Sequence, residues 1–271
     1  MSAINPLTHA ELFTQAPALF TEEPHFEVSD KYHFIPTIDV INQIRQYGWY
    51  PVSVQEANVR DNSDKEGYQR HLIKFLYFSD LLNPSENAVE LLLFNSHDRT
   101  TAFSISAGFY RFVCANGLVI ADSVFESYKI KHIGERDNDV ATAIERISNI
   151  KPILEQKIHS FESITLQVAE KQAFAKASIP LRFEDHLDVD FNELLIPHRE
   201  EDEKNDLYTT LNVIQENLLR GNISGVNKET GRRFTSREIT SIGKDVDVNQ
   251  GLWDIAERIA NIKEPSLALV A

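Results

Sequence analysis

Four stretches of β pattern follow one another between Trp49 and Ser106, and no helical pattern separates them. WYPVSVQEANVR, HLIKFLYF, AVELLLFN and TAFSIS are each rich in β-branched and aromatic residues and are bounded by polar turns. Parallel strands need a crossover of about a dozen residues or more, usually a helix, so strands joined by shorter polar turns must run antiparallel. The segment therefore predicts an antiparallel meander. Leu91 to Phe94 are apolar at every position, which places that strand in the middle with both faces covered. The run DNSDKEGY, from Asp61 to Tyr68, predicts a polar hairpin tip. SYKIKHI, from Ser127, predicts an edge strand whose lysines face water.

Helical signals lie on both sides of this block. Thr8 or His9 can open a short helix through Phe13, after which Pro17 and Pro24 punctuate an irregular arm running to Pro36. Thr37 reads as an N-cap for a helix carrying Ile38, Ile41 and Ile44, with Gly48 as its stop. After Asn138, Val140, Ile144, Ile147, Leu154, Ile158 and Phe161 recur at three- and four-residue spacing, with Pro152 expected to kink or restart the helix. Ser163 or Thr165 is the expected cap of the next helix, LQVAEKQAFAKASI. NDLYTTLNVIQENLLRG predicts a helix stopped by Gly221, and VNQGLWDIAERIA a terminal helix with Leu252, Ile255 and Ile259 on one face. The fold class read from these signals is α+β: an antiparallel β meander flanked by helices, with a helical C-terminal part. The expected organisation is an N-terminal arm (1–36), a sheet core (37–136) and a helical region (137–271) packed on that core.

Charge and cysteine usage narrow the function classes. A chain of 271 residues with 42% hydrophobic residues can bury a substantial core. Its 27 Lys and Arg against 41 Asp and Glu give a formal charge of −14, which opposes long-range attraction to a polyanion. Binding to nucleic acid therefore requires a local basic patch. Cys114, the single cysteine, excludes an internal disulfide and any multi-cysteine metal site and suits a reducing compartment. The opening MSAINPLTHAELF lacks the basic and apolar regions of a signal peptide, and no stretch approaches the roughly eighteen apolar residues of a membrane span. A cytoplasmic protein is expected.

Two groups of residues stand out as candidate sites. Asn95, Ser96, His97 and Asp98 follow the central strand, where functional loops often sit. Adjacent Ser, His and Asp do not make a catalytic triad, because triad members converge from separate elements. The alternatives are a turn held by the Asn and Asp side chains, or a loop in which His97 and Asp98 contact phosphate or a metal. In FYRFVCANGLV, Arg111 sits between Tyr110 and Phe112, and an Arg beside aromatics can clamp phosphate and stack on bases. Asn116 and Gly117 can cap a short helix there. Cys114, between Val113 and Ala115, reads as a buried thiol.

Further basic residues accompany these. Lys228, Arg232, Arg233, Arg237 and Lys244 against Glu229 and Glu238 give a local charge of +3, while Lys129, Lys131, His132 and Arg136 form a second, weaker cluster. Residues 184–206 carry ten acids against Arg199 and Lys204, a run that reads as a solvated loop. His97, His132, His186 and His198 show neither the His-x3-His nor the HExxH spacing of metal ligands. GVNKETGRR is Gly-rich and basic but lacks the GxxxxGK[ST] pattern of a phosphate-binding loop. No catalytic residue, metal or cofactor is called for.

YHFIPT, LLLFNSHDRTTAF, FYRFVCANGLV, AKASIPLRFEDH, NDLYTTLNVIQENLLRGNISG and VNQGLWDIAE together resemble the YubP/YfjQ/YafZ family of plasmid and prophage proteins, over nearly the whole chain. Arg99 stands where the family pattern leads one to expect Gly. What the resemblance implies is a setting, the genes of mobile elements, including those that enter a recipient early in conjugation. It implies no activity and no catalytic residue.

The expected function is accordingly non-catalytic: binding, annealing or protecting single-stranded DNA in plasmid or phage DNA metabolism, with a homo-oligomer supplying avidity. The antiparallel meander flanked by helices is similar in outline to single-strand annealing proteins of the Rad52 and Redβ kind. Arg111, Lys129, Lys131, Arg232, Arg233 and Arg237 would hold phosphates and Tyr110 or Phe112 would stack bases. The rival is an anti-defence interaction module whose acidic face blocks a host nuclease or repair protein. A metal-dependent nuclease built on His97 and Asp98 is a third reading.

Overall fold

The computed structural model of the chain describes residues 4–28, 34–59, 64–82, 87–98, 100–111, 117–119, 128–130 and 137–263. The chain divides into two compact units, residues 1–152 and 153–271. It is an α+β protein with two antiparallel sheets and a mainly helical C-terminal part.

In the first unit, strands β1 (Trp49–Glu56), β2 (His71–Tyr77), β3 (Asn87–Asn95) and β4 (Phe103–Arg111) pair in sequence order, each antiparallel to the last. The meander read from the β pattern is thus present. Two short strands complete the sheet along β4: β5 (Gly117–Val119) pairs with Gly108 to Tyr110, and β6 (Tyr128–Ile130) pairs with Phe103 to Ile105. Every described side chain of β3 is buried except Phe94, which is half-buried, as expected for a central strand with both faces covered. Where Asn116 and Gly117 were read as a helix cap, Gly117 instead begins β5, since β4 offers an unpaired edge that an extended segment can satisfy. Asn116 lies outside the described residues, as does Cys114. A single helical turn, α3 (Phe78–Leu82), links β2 to β3 and was not anticipated. It is too short for a periodic signal.

Two helices prepare the N-terminal side. Helix α1 (His9–Gln15) opens on a capping box in which Thr8 and Glu11 satisfy each other's backbone amides. Helix α2 (Thr37–Gln46) has Pro36 as its N-cap: Thr37, the expected cap, is instead its first helical residue. Its hydroxyl is used elsewhere, as described below. Gly48 adopts φ +83 just beyond the helix, the left-handed conformation that glycine enters without strain. Helix α4 (Asp137–Ser163) runs through Pro152 without restarting, although Pro152 has no N–H to give the Ser148 carbonyl. In the first unit, Ser148 accepts the indole N–H of Trp49 at 3.3 Å, and Lys151 pairs with Asp80 at 2.7 Å.

In the second unit, α6 (Leu207–Arg220) is buried continuously from Leu207 to Leu218, enclosed by α5 (Val168–Ser178), α7 (Ile242–Lys263) and the 3-10 turns between α5 and α6. Asp206 caps α6 through the Thr209 amide, and Gly221 ends it as expected. The cap of α5 is Gln167, in a capping box with Glu170, not Ser163 or Thr165. Thr165 is instead extended and bridges Asp206. The buried face of α7 is Val248, Leu252, Trp253, Ala256 and Ala260, so the predicted stripe is rotated: Ile255 and Ile259 are half-buried. Trp253 packs on Phe161 with ring centroids 5.1 Å apart.

A small sheet, β7 (Leu187–Val189), β8 (Ser224–Asn227) and β9 (Arg233–Thr235), also belongs to this unit. The Gly-rich basic segment GVNKETGRR is therefore part of a hairpin. The acidic stretch read as a solvated loop contributes β7 and two 3-10 turns, and its Asp202 is 4% exposed. No helix among the described residues is long and apolar enough to cross a membrane.

Candidate functional site

The loop after β3 is built around one threonine. Asn95 and His97 are fully buried, and so are Thr37 at the start of α2 and His71 at the start of β2. The Gln69 carbonyl lies 2.9 Å from His71 Nδ1 and can only accept, so that nitrogen carries the proton and Nε2 presents a lone pair. The Thr37 hydroxyl donates to His71 Nε2 at 2.9 Å. The same oxygen accepts from Asn95 Nδ2 at 3.0 Å and from His97 Nε2 at 3.3 Å. One donor and two acceptor positions are thereby filled. Burial, then the adjacent His97, pulls the His71 imidazole down to about 3 against the opposing bond to Gln69, so the ring is neutral at physiological pH.

Backbone bonds extend this cluster outward. The His97 amide donates to the Tyr68 carbonyl at 3.1 Å, and the His97 carbonyl accepts from the His25 amide at 3.1 Å. Phe34 lies against the His97 ring with centroids 4.9 Å apart, and Asn95 Nδ2 also reaches the Ile35 carbonyl. Residues from the YHFIPT and NSHD stretches, some sixty positions apart, meet here. Ser96 and Asp98 order the loop itself: Ser96 Oγ accepts from the Thr101 amide at 2.9 Å, and Asp98 Oδ1 accepts from the amide and hydroxyl of Thr100. Burial raises the Asp98 carboxyl, but the Thr100 and Ser96 hydrogen bonds and Lys65, 3.4 Å away, outweigh it and hold the group below its ordinary value. As arranged, the cluster fastens the N-terminal arm and α2 to the sheet, and its imidazoles have no exposed surface from which to reach a substrate. Arg99 lies outside the described residues.

The basic residues fall in both units. In the first, Arg111 ends β4 opposite Asn87, Tyr110 pairs with Ala88 and Gly117, and Lys129 pairs with Ser104 on the same edge of β4. Seven residues of β4 separate Ser104 from Arg111, roughly 23 Å at an extended rise. Phe112 and Lys131 lie outside the described residues, as do His132 and Arg136. In the second unit, Lys228, Arg232, Arg233 and Arg237 are all exposed on and beside the β8–β9 hairpin. Its turn is held by Asn227, whose Oδ1 accepts from the Glu229 and Thr230 amides, and by Gly231 at φ +67. Gly225, in β8, faces Phe234 so closely that a Cβ there would lie 2.6 Å from the ring. Lys228 donates to the Asp185 carbonyl at 3.0 Å, and among the described residues no ion pair engages Arg232, Arg233 or Arg237.

The acidic stretch contains a buried network that its composition concealed. Arg199 bonds Asp202 Oδ2 at 3.0 Å and also Glu216, which is 2% exposed and pairs with Arg220 at 2.7 Å. Nearby, Lys171, Leu195, Pro197, Asp202, Lys204 and Val213 line a cleft of about 210 Å³. Lys171 is bonded to Asn205 at 2.6 Å and Asp202 to Arg199, so its charged groups serve the unit's own structure. No cluster of three or more metal-ligating side chains occurs among the described residues.

A family model described as a domain of unknown function (DUF932) matches residues 24–253. The chain is 35% identical to the UPF0380 protein YafZ of Escherichia coli (strain K12) over 255 residues, which cover 94% of this chain and 92% of that protein. It is similar to the same extent to the UPF0380 protein YfjQ of the same organism. No solved structure matches it.

Proposed function

We propose that this chain, which belongs to the DUF932 family, is a non-catalytic cytoplasmic protein that binds single-stranded DNA in the DNA metabolism of a plasmid or prophage, annealing or protecting the strand. The observation that carries this reading is the β8–β9 hairpin. It concentrates Lys228, Arg232, Arg233 and Arg237 within ten positions of a chain whose net charge is −14, and leaves the three arginines outside any described ion pair. Guanidinium groups in this state can form charge-assisted bonds to phosphate oxygens, and each phosphate neutralised releases condensed counterions. Arg111, at the end of β4, and Lys129, on β6, are the further phosphate contacts proposed in the first unit, and Tyr110 or Phe112 the base-stacking residues.

Fluorescence anisotropy of labelled oligonucleotides, at low and physiological salt, tests the reading. Single-strand binding that strengthens with length and weakens steeply with salt is expected, together with a homo-oligomer in light scattering. No binding at low salt overturns it.

The exposed Glu200, Glu201 and Glu203 keep a second reading in play, an anti-defence protein that presents carboxylates to a host nuclease or repair factor. Charge reversal at these three positions would abolish that activity and spare DNA binding.

A further inference from the structure

Phe26 is 75% exposed, the highest value among the exposed Phe and Tyr rings of the described residues, and yet its ring has a buried partner. Its ring stacks on His25 with centroids 4.3 Å apart and planes 30° from parallel. His25 is only 2% exposed and every polar atom of its ring is used: Nε2 donates to the Asp64 carbonyl at 2.9 Å, and Nδ1 accepts from the Glu27 amide at 3.2 Å. Its own amide is bonded to His97, and Tyr68 packs edge-on against it at 5.0 Å. One face of the Phe26 ring therefore rests on a fixed imidazole while the ring as a whole stands in water.

Five carboxylates lie near this ring, along the chain or on the turn that His25 contacts. Glu22 and Glu23 precede it, Glu27 follows it, and Asp64 and Glu66 come from the turn that His25 grips; all five are exposed. Lys65, the cation of that turn, lies 3.4 Å from Asp98. Such surroundings repel a polyanion and attract a cation. A guanidinium is the cation that suits a ring bordered by carboxylates, because it is planar, stacks on aromatic faces and donates in a fork to carboxylate oxygens. An ammonium matches the charge without the plane.

We infer that Phe26, seated on His25 and bordered by Glu22, Glu23, Glu27, Asp64 and Glu66, is a docking site for an arginine-bearing segment of a protein partner. The site lies in the first unit and does not depend on the DNA-binding reading.

Fluorescein-labelled hexa-arginine and hexa-lysine peptides, titrated against the full chain and followed by anisotropy, test it. The native protein binds the arginine peptide at least about 3-fold more tightly than the lysine peptide. Phe26→Ala removes that preference, and the triple change Glu22→Gln, Glu23→Gln, Glu27→Gln weakens both peptides. Since the Phe26 ring is exposed, the variant keeps its fold, which circular dichroism verifies. Equal binding of the two peptides by the native protein, or a preference that survives Phe26→Ala, overturns the inference. If the native protein self-associates and Phe26→Ala makes it monomeric, the occupant is a second copy of this chain and the assignment to a separate partner falls.

Discussion

The hydroxyl of Thr37 joins His71 and His97, donating to the first at 2.9 Å and accepting from the second at 3.3 Å, inside a cluster with no exposed surface. Replacing Thr37 by Val keeps the shape but strands a ring nitrogen, an imidazole N–H and an amide N–H. The expected loss is about 2–4 kcal/mol, since each buried unsatisfied group costs roughly 1–3 kcal/mol and the three share relaxation. Thr37→Ser, which restores the oxygen, recovers most of it. Urea denaturation of the two variants and the parent checks this.

The same cluster makes stability depend on pH. His71 titrates at about 3 when folded and near 6.5 when exposed, so the unfolded chain binds its proton first. Its contribution is present above pH 6.5 and declines as pH falls towards 3, by about 1.4 kcal/mol per unit. Unfolding free energies measured between pH 7.5 and 4.5 should show this slope, and His71→Gln should flatten it.

In the second unit, Arg199 is bonded to Asp202 and shares Glu216 with Arg220. Arg199→Ala leaves buried carboxylates short of a partner, a change that costs about 3–5 kcal/mol in comparable pairs. Arg199→Ala paired with Asp202→Asn and Glu216→Gln should recover part of the loss. Thermal denaturation of the single and triple variants measures both.

Gly225→Ala tests the hairpin's geometry. A Cβ there would lie 2.6 Å from the Phe234 ring and 2.7 Å from the Asp188 carbonyl, so β8 must move away from both neighbours. A destabilisation of about 1–3 kcal/mol is expected. Amide exchange at β7 to β9 should rise, and any DNA affinity carried by the hairpin should fall with it.

What could be read from sequence follows how local each signal is. The meander was legible because β-branched and aromatic residues mark its strands between polar turns, and α6 because its helical run is stopped by Gly221. The β8–β9 hairpin was not, since KETGR between strands of four and three residues carries too few positions for a pattern to show. Gln167 was missed as a cap because glutamine seldom plays that part. For the candidate sites, the turn chemistry of Asn95 and Asp98 was visible, but their link to Thr37 was not, because no local rule connects positions about sixty residues apart. The buried Arg199, Asp202 and Glu216 network was hidden inside a run whose composition resembles solvated surface.

The central claim is that the β8–β9 hairpin holds single-stranded DNA. The most direct measurement is the anisotropy of a labelled single-stranded oligonucleotide with the native chain and with the Arg232→Glu, Arg233→Glu double variant, both exposed positions that leave the fold intact. The account predicts salt-sensitive binding by the native chain, weakened at least about tenfold in the variant, with a shallower dependence on salt. Equal binding by the two proteins, or none by the native chain at low salt, would contradict it.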